Sequence, residues 1–494
     1  MRLSKIALPL ISFVPLLSIS NADNEWTLNL LDNSIWPKAV CLDGSPGAYY
    51  VREGTGQPEN VFFYMQGGGW CLTRGKGEWT SCLLRSRTSL GSSCNNWATG
   101  KHDCSDQDDD PSEWTSLLNN SYFSTNSDIN PAFCDWTIII ARYCDGTSFS
   151  GRLDEPVQVL NENGTNTSLY YRGNYILEAI AHEALELKSS SSNSRRNISH
   201  LVIGGSSAGG LATYLHGHQL TEWVEQSQLA LTPEIAYFIE VGFFPQWNET
   251  DFQGSSISYD DWMKVMFSET NVTDSLPKKC VEEKENQYFC MFAQNVVEYL
   301  EKPYFTYQSN YDSNQLATIL GWNESVGVGN GSISERWPWN KTVTADLPFI
   351  TWSGVKNYSQ SMLNLLLTST KTPAVLPVGI FVPPCLTHDT VSNTDLYVHM
   401  TAGGVAYNKA LVSWLDEWLS GSPAVPSKEN LWIHSEEEGP FTEKQCSIGM
   451  EIQEPDAIHN AKNDTSGAQK GIVQPFWMQS AVLMASFYLL DLNK

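Results

Sequence analysis

A serine stands at the centre of the run Gly-Ser-Ser-Ala-Gly, residues 205–209. Residues 200–203, His-Leu-Val-Ile, stand before the run and predict a buried strand, and the residues after it predict a helix. A sharp turn between a strand and a helix presents a serine hydroxyl at the N-terminus of that helix. We therefore interpret Ser207 as a nucleophile. A register shifted by one would give that role to Ser206, and a strand–helix junction without chemistry is the simpler alternative.

A serine hydroxyl becomes nucleophilic only when a base takes its proton. In folds that carry this turn, the order along the chain is serine, then an acid, then histidine. Four histidines follow the predicted helix, namely His388, His399, His434 and His459. His388 closely follows residues 375–382, a predicted buried strand, so a loop at the carboxyl edge of the sheet would carry it. We predict His388 as the base.

The acid must lie between Ser207 and His388 and reach the same edge of the sheet. Asp312 meets this condition, and so do Asp251 and Asp346. The acid would hold the imidazole tautomer and stabilise the imidazolium.

Acyl transfer also needs hydrogen-bond donors for a developing oxyanion. Residues 60–65 predict a buried strand that runs into three glycines, Gly67 to Gly69. The N–H groups of Gly68 and Gly69, with that of Ala208, would form such an oxyanion hole. The alternative for the glycines is a tight turn against a neighbouring backbone.

The remaining pattern alternates strands with helices. Residues 136–141 and 235–239 predict further buried strands, residues 175–187 a helix with Asn174 as its N-cap, and residues 405–419 a closing helix. Such alternation indicates an α/β fold of the α/β-hydrolase type, with a mostly parallel sheet, helices on both faces and long disulfide-bonded loops. A single catalytic domain over residues 23–450 fits the length of 494 residues.

The chain is strongly acidic, with 30 Lys and Arg against 55 Asp and Glu and a net charge of −25. Such a charge repels phosphate backbones, so nucleic acid is not expected as a partner. The acidic run at residues 106–110 lacks the Gly and Glu of a calcium-binding loop, and we interpret it as a solvated loop. We predict neither a metal nor a cofactor.

The N-terminus indicates secretion. Residues 1–22 combine a basic start, a short apolar run and small residues at cleavage spacing, which predicts a signal peptide; an uncleaved anchor helix is the alternative. Eleven Asn-x-Ser/Thr sequons predict N-linked glycans, and eleven cysteines without zinc-ligand spacing predict disulfides with one cysteine left odd. The sequons are at Asn119, Asn163, Asn166, Asn197, Asn248, Asn271, Asn323, Asn330, Asn340, Asn357 and Asn463.

The C-terminal residues 451–494 form a polar linker followed by an apolar segment at residues 475–490. Three interpretations stay open for this segment: a helix docked on the catalytic domain, a glycolipid-anchor signal, and a short membrane segment. The last two would attach a secreted protein to the cell surface.

Several motifs together resemble the family of pectin acetylesterases and the related Notum carboxylesterases. In order along the chain they are Cys-Leu-Asp-Gly-Ser-Pro at residues 41–46, Gly-Gly-Gly-Trp-Cys at 67–71, Arg-Tyr-Cys-Asp-Gly at 142–146, Gly-Ser-Ser-Ala-Gly-Gly at 205–210, Tyr311-Asp312 with Gln315, and Cys385-x-x-His388. The resemblance implies metal-independent deacylation by a Ser207, Asp312, His388 triad. It also implies substrate contacts by Trp70 and Asp145, and the disulfides Cys41–Cys144, Cys71–Cys82, Cys280–Cys290 and Cys385–Cys446.

The chain departs from plant pectin acetylesterases at Gln66, Asn314 and Asp389, where those enzymes usually carry Glu, Trp and Cys. Tyr49-Tyr50 and the Cys-Leu-Thr-His-Asp run at 385–389 resemble the Notum branch instead. These differences leave two hypotheses for the substrate. The first, by analogy with the family, is an O-acetylated, pectin-like polysaccharide. The second is a fatty-acylated secreted protein, and the third interpretation is a binding glycoprotein without activity.

Overall fold

The computed structural model describes residues 26–71, 81–93, 95–96, 101–102, 118–161, 163–185, 196–227, 232–249, 257–320, 352–370, 377–391, 393–421, 430–433 and 446. The predicted signal peptide, the C-terminal residues 451–494 and the acidic run at 106–110 lie outside these ranges. Within them, no helix combines the length and the apolar character that crossing a membrane requires.

Nine strands in the described ranges form one central sheet, and we number them in chain order. Their bounds are β1 Thr27–Leu30, β2 Ala48–Arg52, β3 Gln57–Met65, β4 Trp136–Ala141, β5 His200–Ser206, β6 Glu234–Glu240, β7 Tyr304–Tyr307, β8 Val378–Val382 and β9 Leu431–Ile433. The spatial order is β1-β2-β4-β3-β5-β6-β7-β8-β9. β2 pairs antiparallel with β1 and β4, and every other pairing is parallel. The predicted mostly parallel sheet is confirmed.

Five longer helices accompany the sheet: α1 Gly173–Ala184, α2 Ala208–Glu225, α3 Tyr259–Glu269, α4 Trp352–Ser369 and α5 Tyr407–Leu419. Shorter helical segments lie at Ser81–Arg85, Ser121–Phe123, Thr273–Ser275, Lys278–Glu283, Gln287–Met291, Ala293–Val296, Val297–Tyr299, Ser313–Thr318 and Thr394–His399. Alternate side chains of β3 enter two different apolar clusters: Val61 and Phe63 join α1 and α2 on one face, and Phe62 joins α5 on the other. Helices therefore cover both faces, because side chains alternate across a strand.

Two sequence expectations about helices need correction. Asn174 does not cap α1 but lies inside it, where its amide contacts Arg152 and donates to Gln219 Oε1 at 2.8 Å. The closing helix begins at Tyr407 rather than at residue 405, because Val405–Ala406 pairs with Thr401–Ala402 as a small hairpin. Both helices pack their buried apolar residues into the clusters that include the strands of the sheet.

Four disulfides join described cysteines, and all four pairs implied by the resemblance are present: Cys41–Cys144, Cys71–Cys82, Cys280–Cys290 and Cys385–Cys446. Cys134 is the free thiol among the described residues. Cys94 and Cys104 lie outside them.

Candidate active site

The predicted sharp turn joins β5 to α2. β5 ends at Ser206, α2 begins at Ala208, and Ser207 between them has φ 58° and ψ −122°. A non-glycine residue in such a conformation costs about 1–3 kcal/mol and persists only where its surroundings impose it. Here the Ser207 N–H donates to the Glu240 carbonyl at 2.9 Å, which fixes the turn against β6. The Ser207 hydroxyl therefore lies beyond the end of β5, at the N-terminus of α2.

Two glycines allow the chain to approach this turn closely. A Cβ on Gly209 would lie 2.0 Å from the carbonyl oxygen of Met65, at the end of β3. A Cβ on Gly67 would lie 2.5 Å from the Ser206 carbonyl oxygen and 2.9 Å from Cβ of Ser207. The glycine loop after β3 therefore touches the turn at Ser207 in a way that any larger residue would prevent.

Ser207, His388 and Asp312 meet in one hydrogen-bonded chain. The Ser207 Oγ lies 2.7 Å from His388 Nε2, and His388 Nδ1 lies 2.9 Å from each carboxylate oxygen of Asp312. A carboxylate only accepts, so Nδ1 carries the hydrogen and Nε2 is left to accept the serine proton. The predicted alternatives to Asp312, Asp251 and Asp346, lie outside the described residues.

Local pairing brings the acid and the base together. Tyr311–Asp312 pairs in parallel with Leu386–Thr387, which places Asp312 beside the start of the His388 loop. Asp312 also caps the helix Ser313–Thr318, since its Oδ1 accepts from the N–H groups of Asn314 and Gln315 at 3.0 and 2.9 Å. These donors leave the carboxylate one orientation, towards His388.

The pKa of His388 lies above its ordinary value of 6.5. Burial lowers this pKa, but the charge and hydrogen bond of Asp312, followed by the charges of Asp389 and Glu240, outweigh the burial. Negative charge around the ring therefore stabilises the imidazolium that forms when Nε2 takes a proton.

Two carbonyl groups of the glycine loop accept hydrogen bonds from buried side chains. The guanidinium of the buried Arg85 donates to the Gly68 carbonyl, and the Tyr143 hydroxyl donates to the Gly69 carbonyl at 2.7 Å. In a planar trans peptide the next N–H points opposite to the carbonyl, so the N–H of Gly69 is turned away from Arg85. Among the described residues, no acceptor is found for the N–H groups of Gly68, Gly69 or Ala208. These three donors can bind an oxyanion beside Ser207.

Two disulfides fix the frame of this loop. Cys71–Cys82 joins the end of the glycine loop to the helix Ser81–Arg85, which carries Arg85. Cys41–Cys144 anchors the neighbouring segment, whose Gly146 carbonyl accepts from the Cys71 N–H at 3.2 Å. The loop has no regular secondary structure of its own, so these links hold it together with the hydrogen bonds from Arg85 and Tyr143.

The two residues expected to contact substrate, Trp70 and Asp145, are both buried. The Trp70 indole is 5% exposed, donates to Ser148 Oγ at 2.7 Å, and packs edge-on to Phe244 with ring centroids 4.8 Å apart. Asp145 is fully buried, and burial raises its pKa to about 6. Its carboxylate accepts from the N–H groups of Thr147 and Phe149 at 3.0 and 3.4 Å, which makes it part of the loop's internal structure.

Sequence reasoning did not identify Arg85, Tyr143 or Glu240. Arg85 and Tyr143 act through loop carbonyls, which no spacing in the sequence reveals. Glu240 had a signal, because it directly follows the apolar run 235–239 at the edge of the sheet where Ser207 was expected.

The strand order, the sharp turn between β5 and α2 and the donors after β3 define an α/β-hydrolase. Residues 19–425 match the family model described as pectinacetylesterase. The chain belongs to this family, and its relatives support a carboxylesterase or deacylase activity. Among the described residues, no group of three or more His, Cys, Asp or Glu is arranged to hold a metal ion.

The relatives come from both branches that the motifs resemble. Pectin acetylesterase 11 of Arabidopsis thaliana is 25% identical over 73% of this chain and 79% of its own length. Pectin acetylesterase 5 of the same plant is 30% identical over 57% of this chain and 56% of its own. Palmitoleoyl-protein carboxylesterase notum1' of Xenopus laevis is 22% identical over 80% of this chain and 68% of its own.

A solved structure shares the fold. The Wnt deacylase Notum from Drosophila superposes with a TM-score of 0.57 and 18% sequence identity, covering 84% of this chain and 99% of that one. At this identity the likeness concerns the fold alone.

Proposed function

We propose that the protein is a serine carboxylesterase in which Ser207 is the nucleophile, His388 the base and Asp312 the acid. The observation that carries the proposal is the chain of hydrogen bonds from Ser207 Oγ to His388 Nε2 at 2.7 Å and from His388 Nδ1 to Asp312 at 2.9 Å. It stands at the turn where this fold presents its nucleophile.

The reaction follows from this geometry. Ser207 Oγ attacks the ester carbonyl carbon while His388 Nε2 takes its proton, and the imidazolium then protonates the departing alcohol. Water, deprotonated by the same imidazole, attacks the acyl-enzyme, releases the carboxylic acid and restores Ser207. The N–H groups of Gly68, Gly69 and Ala208 stabilise the oxyanion in both tetrahedral intermediates. No metal takes part in this mechanism.

We further propose that the acyl group is small and that the substrate is an O-acetylated polysaccharide. The plant relatives are named pectin acetylesterases. In the described part of the site, aromatic rings of the protein itself fill the space beside His388. The ring centroid of Phe244 lies 6.3 Å from that of His388. Trp70 and Tyr259 both pack on Phe244, and their ring centroids are 5.7 Å apart. A pocket open to water and deep enough for a fatty acyl chain would expose its lining, whereas Phe244 and Tyr259 are 0% exposed.

An extracellular site of action fits the surface and the cross-links. The seven sequon asparagines that the structure describes are all exposed, which glycan attachment requires: Asn119, Asn163, Asn166, Asn197, Asn248, Asn271 and Asn357. Four disulfides among the described cysteines suit an oxidising compartment. We therefore propose a secreted, N-glycosylated enzyme.

The test compares p-nitrophenyl acetate with p-nitrophenyl octanoate, and acetylated pectin with a fatty-acylated peptide, on the purified secreted protein. We expect a higher kcat/KM for the acetyl ester than for the octanoyl ester, acetate release from the polysaccharide, and no effect of a chelator. A preference for octanoate with release of fatty acid from the peptide would instead establish the protein deacylase alternative. No turnover of any of the four would support the binding glycoprotein.

Ser206→Ala is the matched control for Ser207→Ala. The Ser206 side chain is buried at the end of β5 and is one residue from the proposed nucleophile. We expect Ser206→Ala to keep most of the activity and Ser207→Ala to lose it, and the reverse would move the nucleophile by one residue.

A further inference from the structure

Glu240 is a fully buried carboxyl group that the proposed mechanism does not use. It is the last residue of β6, and its main-chain carbonyl accepts from the Ser207 N–H at 2.9 Å. Its backbone therefore already supports the turn at the nucleophile.

The side chain of Glu240 reaches the loop that carries the base. Glu240 Oε1 accepts from the Thr390 N–H at 3.0 Å and from Thr390 Oγ1 at 2.6 Å. Thr390 is two residues beyond His388, so this pair of bonds fixes the loop just after the imidazole. One residue thus contacts the turn of Ser207 through its backbone and the loop of His388 through its carboxylate.

The other carboxylate oxygen is bound to the buried helical turn Ser121–Phe123. Glu240 Oε2 accepts from the Tyr122 hydroxyl at 2.7 Å, and that hydroxyl lies 3.0 Å from the hydroxyl of Tyr64 on β3. The adjacent Ser121 hydroxyl donates to the Thr390 carbonyl. Thr390 is therefore hydrogen-bonded on two sides, by Glu240 and by Ser121. The hydrogen bonds through Tyr122 and Tyr64 restrict the movement of the Glu240 carboxylate.

Burial of a charged carboxylate costs free energy, because the charge loses its solvation, unless a cation or several hydrogen-bond donors offset that cost. No Lys or Arg in the described ranges forms an ion pair with Glu240. Burial, followed by the charge of Asp389, raises the pKa of Glu240 to about 7. If Glu240 served only to fill space, an apolar residue of similar volume would stabilise the protein more. Its three donors point to a structural task at the site.

We propose that Glu240 is a positioning residue for catalysis: it holds the His388 loop, through Thr390, at the distance from Ser207 at which Nε2 can take the serine proton. It touches neither the substrate nor the reacting atoms. The inference rests on the proposed function, since it assumes that the distance between Ser207 and His388 limits turnover. A displacement of about 1 Å in such a pair can cost on the order of 100-fold in rate.

The experiment measures kcat and KM for p-nitrophenyl acetate in Glu240→Ala, Glu240→Gln, Thr390→Val and the double variant Glu240→Ala/Thr390→Val. We expect Glu240→Ala to lower kcat about 10- to 100-fold with KM nearly unchanged, because the acyl group does not contact the carboxylate. Thr390→Val removes only one of the two bonds and should lower kcat several-fold. The double variant should be no worse than Glu240→Ala, since both changes remove one linkage.

Glu240→Gln separates positioning from charge. Its amide oxygen can still accept from Thr390, and its amide nitrogen can donate to Tyr122, which then donates to Tyr64. We expect it to retain at least about a third of the wild-type kcat, which is a rescue that loss of buried volume alone would not predict. Glu234→Gln, at the exposed start of the same strand, is the matched control and should behave as wild type.

Three results would overturn the inference: wild-type kcat in Glu240→Ala, a Glu240→Gln variant as impaired as Glu240→Ala, or kcat losses that multiply in the double variant. If Glu240→Ala does not fold, the kcat of Thr390→Val tests the inference instead. A wild-type kcat in Thr390→Val would then reject the positioning role of Glu240. Ser207→Ala is assayed in parallel. Residual full activity there would reject the proposed function itself, whereas an inactive Ser207→Ala beside a fully active Glu240→Ala rejects only this inference.

Discussion

The two halves of the candidate site are built differently. The turn at Ser207 lies between β5 and α2, and the sheet's own hydrogen bonds and close-packed glycines hold it. The glycine loop that supplies Gly68 and Gly69 belongs to no helix or strand. A disulfide, a buried guanidinium and a tyrosine hydroxyl hold it instead.

The difference shows how each half obtains its precision. A nucleophile at the junction of a strand and a helix is positioned by elements that the fold needs for its stability. An irregular loop lacks the regular hydrogen bonds between the strands of a sheet, so each of its buried carbonyl groups needs a separate hydrogen-bond donor. Loss of a single contact should therefore disturb the glycine loop locally, whereas the turn at Ser207 should fail only with the fold or with the reacting side chains themselves.

The largest effects are expected at the reacting side chains. Ser207→Ala and His388→Ala should each lower kcat by on the order of 10⁵-fold, and the double variant should lose little more, since nucleophile and base act as a unit. Steady-state hydrolysis of p-nitrophenyl acetate measures the loss, and unchanged circular dichroism shows that the fold is intact. More than a few per cent residual turnover in either variant would reject the assignment.

Asp312→Asn should cost less, on the order of 10⁴-fold, because the imidazole remains but its tautomer is no longer selected. The same variant predicts a shift in pH dependence. The base must be neutral, and Asp312 raises the pKa of His388 against the opposing effect of burial, so wild-type activity should fall on acidification around an apparent pKa above 6.5. Without that charge the pKa falls, and the acid limb of kcat/KM should move to lower pH. A limb that stays in place would assign the acid elsewhere.

The two halves also differed in how much the sequence revealed. Ser207, His388 and the three glycines followed from local patterns, because a sharp turn after a buried strand has few sequence solutions. The strands predicted at residues 136–141 and 200–203 were visible as largely apolar runs. The antiparallel strands β1 and β2 were not predicted, since runs of only four and five residues give little periodicity.

Contacts between distant segments could not be read in this way. Local patterns left Asp312 as one of three candidates for the acid, and only the family resemblance selected it. Arg85 and Glu240 act on backbone groups of other segments, which no local pattern shows. The substrate contacts that the resemblance implies for Trp70 and Asp145 stay a prediction, since a motif does not tell which side of a loop a side chain occupies.

Arg85→Met tests the side-chain support of the glycine loop, and it also removes the guanidinium that lies 5.7 Å from the centroid of the Tyr143 ring. It removes the donor to the Gly68 carbonyl while keeping an unbranched side chain in the buried space, so the peptide that presents the Gly69 N–H can rotate. We expect kcat to fall about 10- to 100-fold, with little change in KM, because the oxyanion exists only after attack. Arg87→Met, at an exposed position two residues on, is the matched control. Equal kcat in the two variants would remove Arg85 from the support of the oxyanion hole.

The smallest effect on kcat is expected from the disulfide of the glycine loop, and the chain offers a matched pair for measuring it. Cys71–Cys82 and Cys280–Cys290 close loops with sequence separations of 11 and 10, so their loss should destabilise the protein by similar amounts, about 2–3 kcal/mol each, through the entropy of the unfolded chain. Cys280–Cys290 lies in a segment that supplies no residue to the triad or the glycine loop. Replacing both cysteines of each pair by alanine should therefore lower Tm alike, while kcat falls several-fold only without Cys71–Cys82, whose loss frees Arg85 and the end of the loop together. Equal kcat in the two double variants would show that Arg85 and Tyr143 suffice to hold the glycine loop, and that the disulfide there serves stability alone.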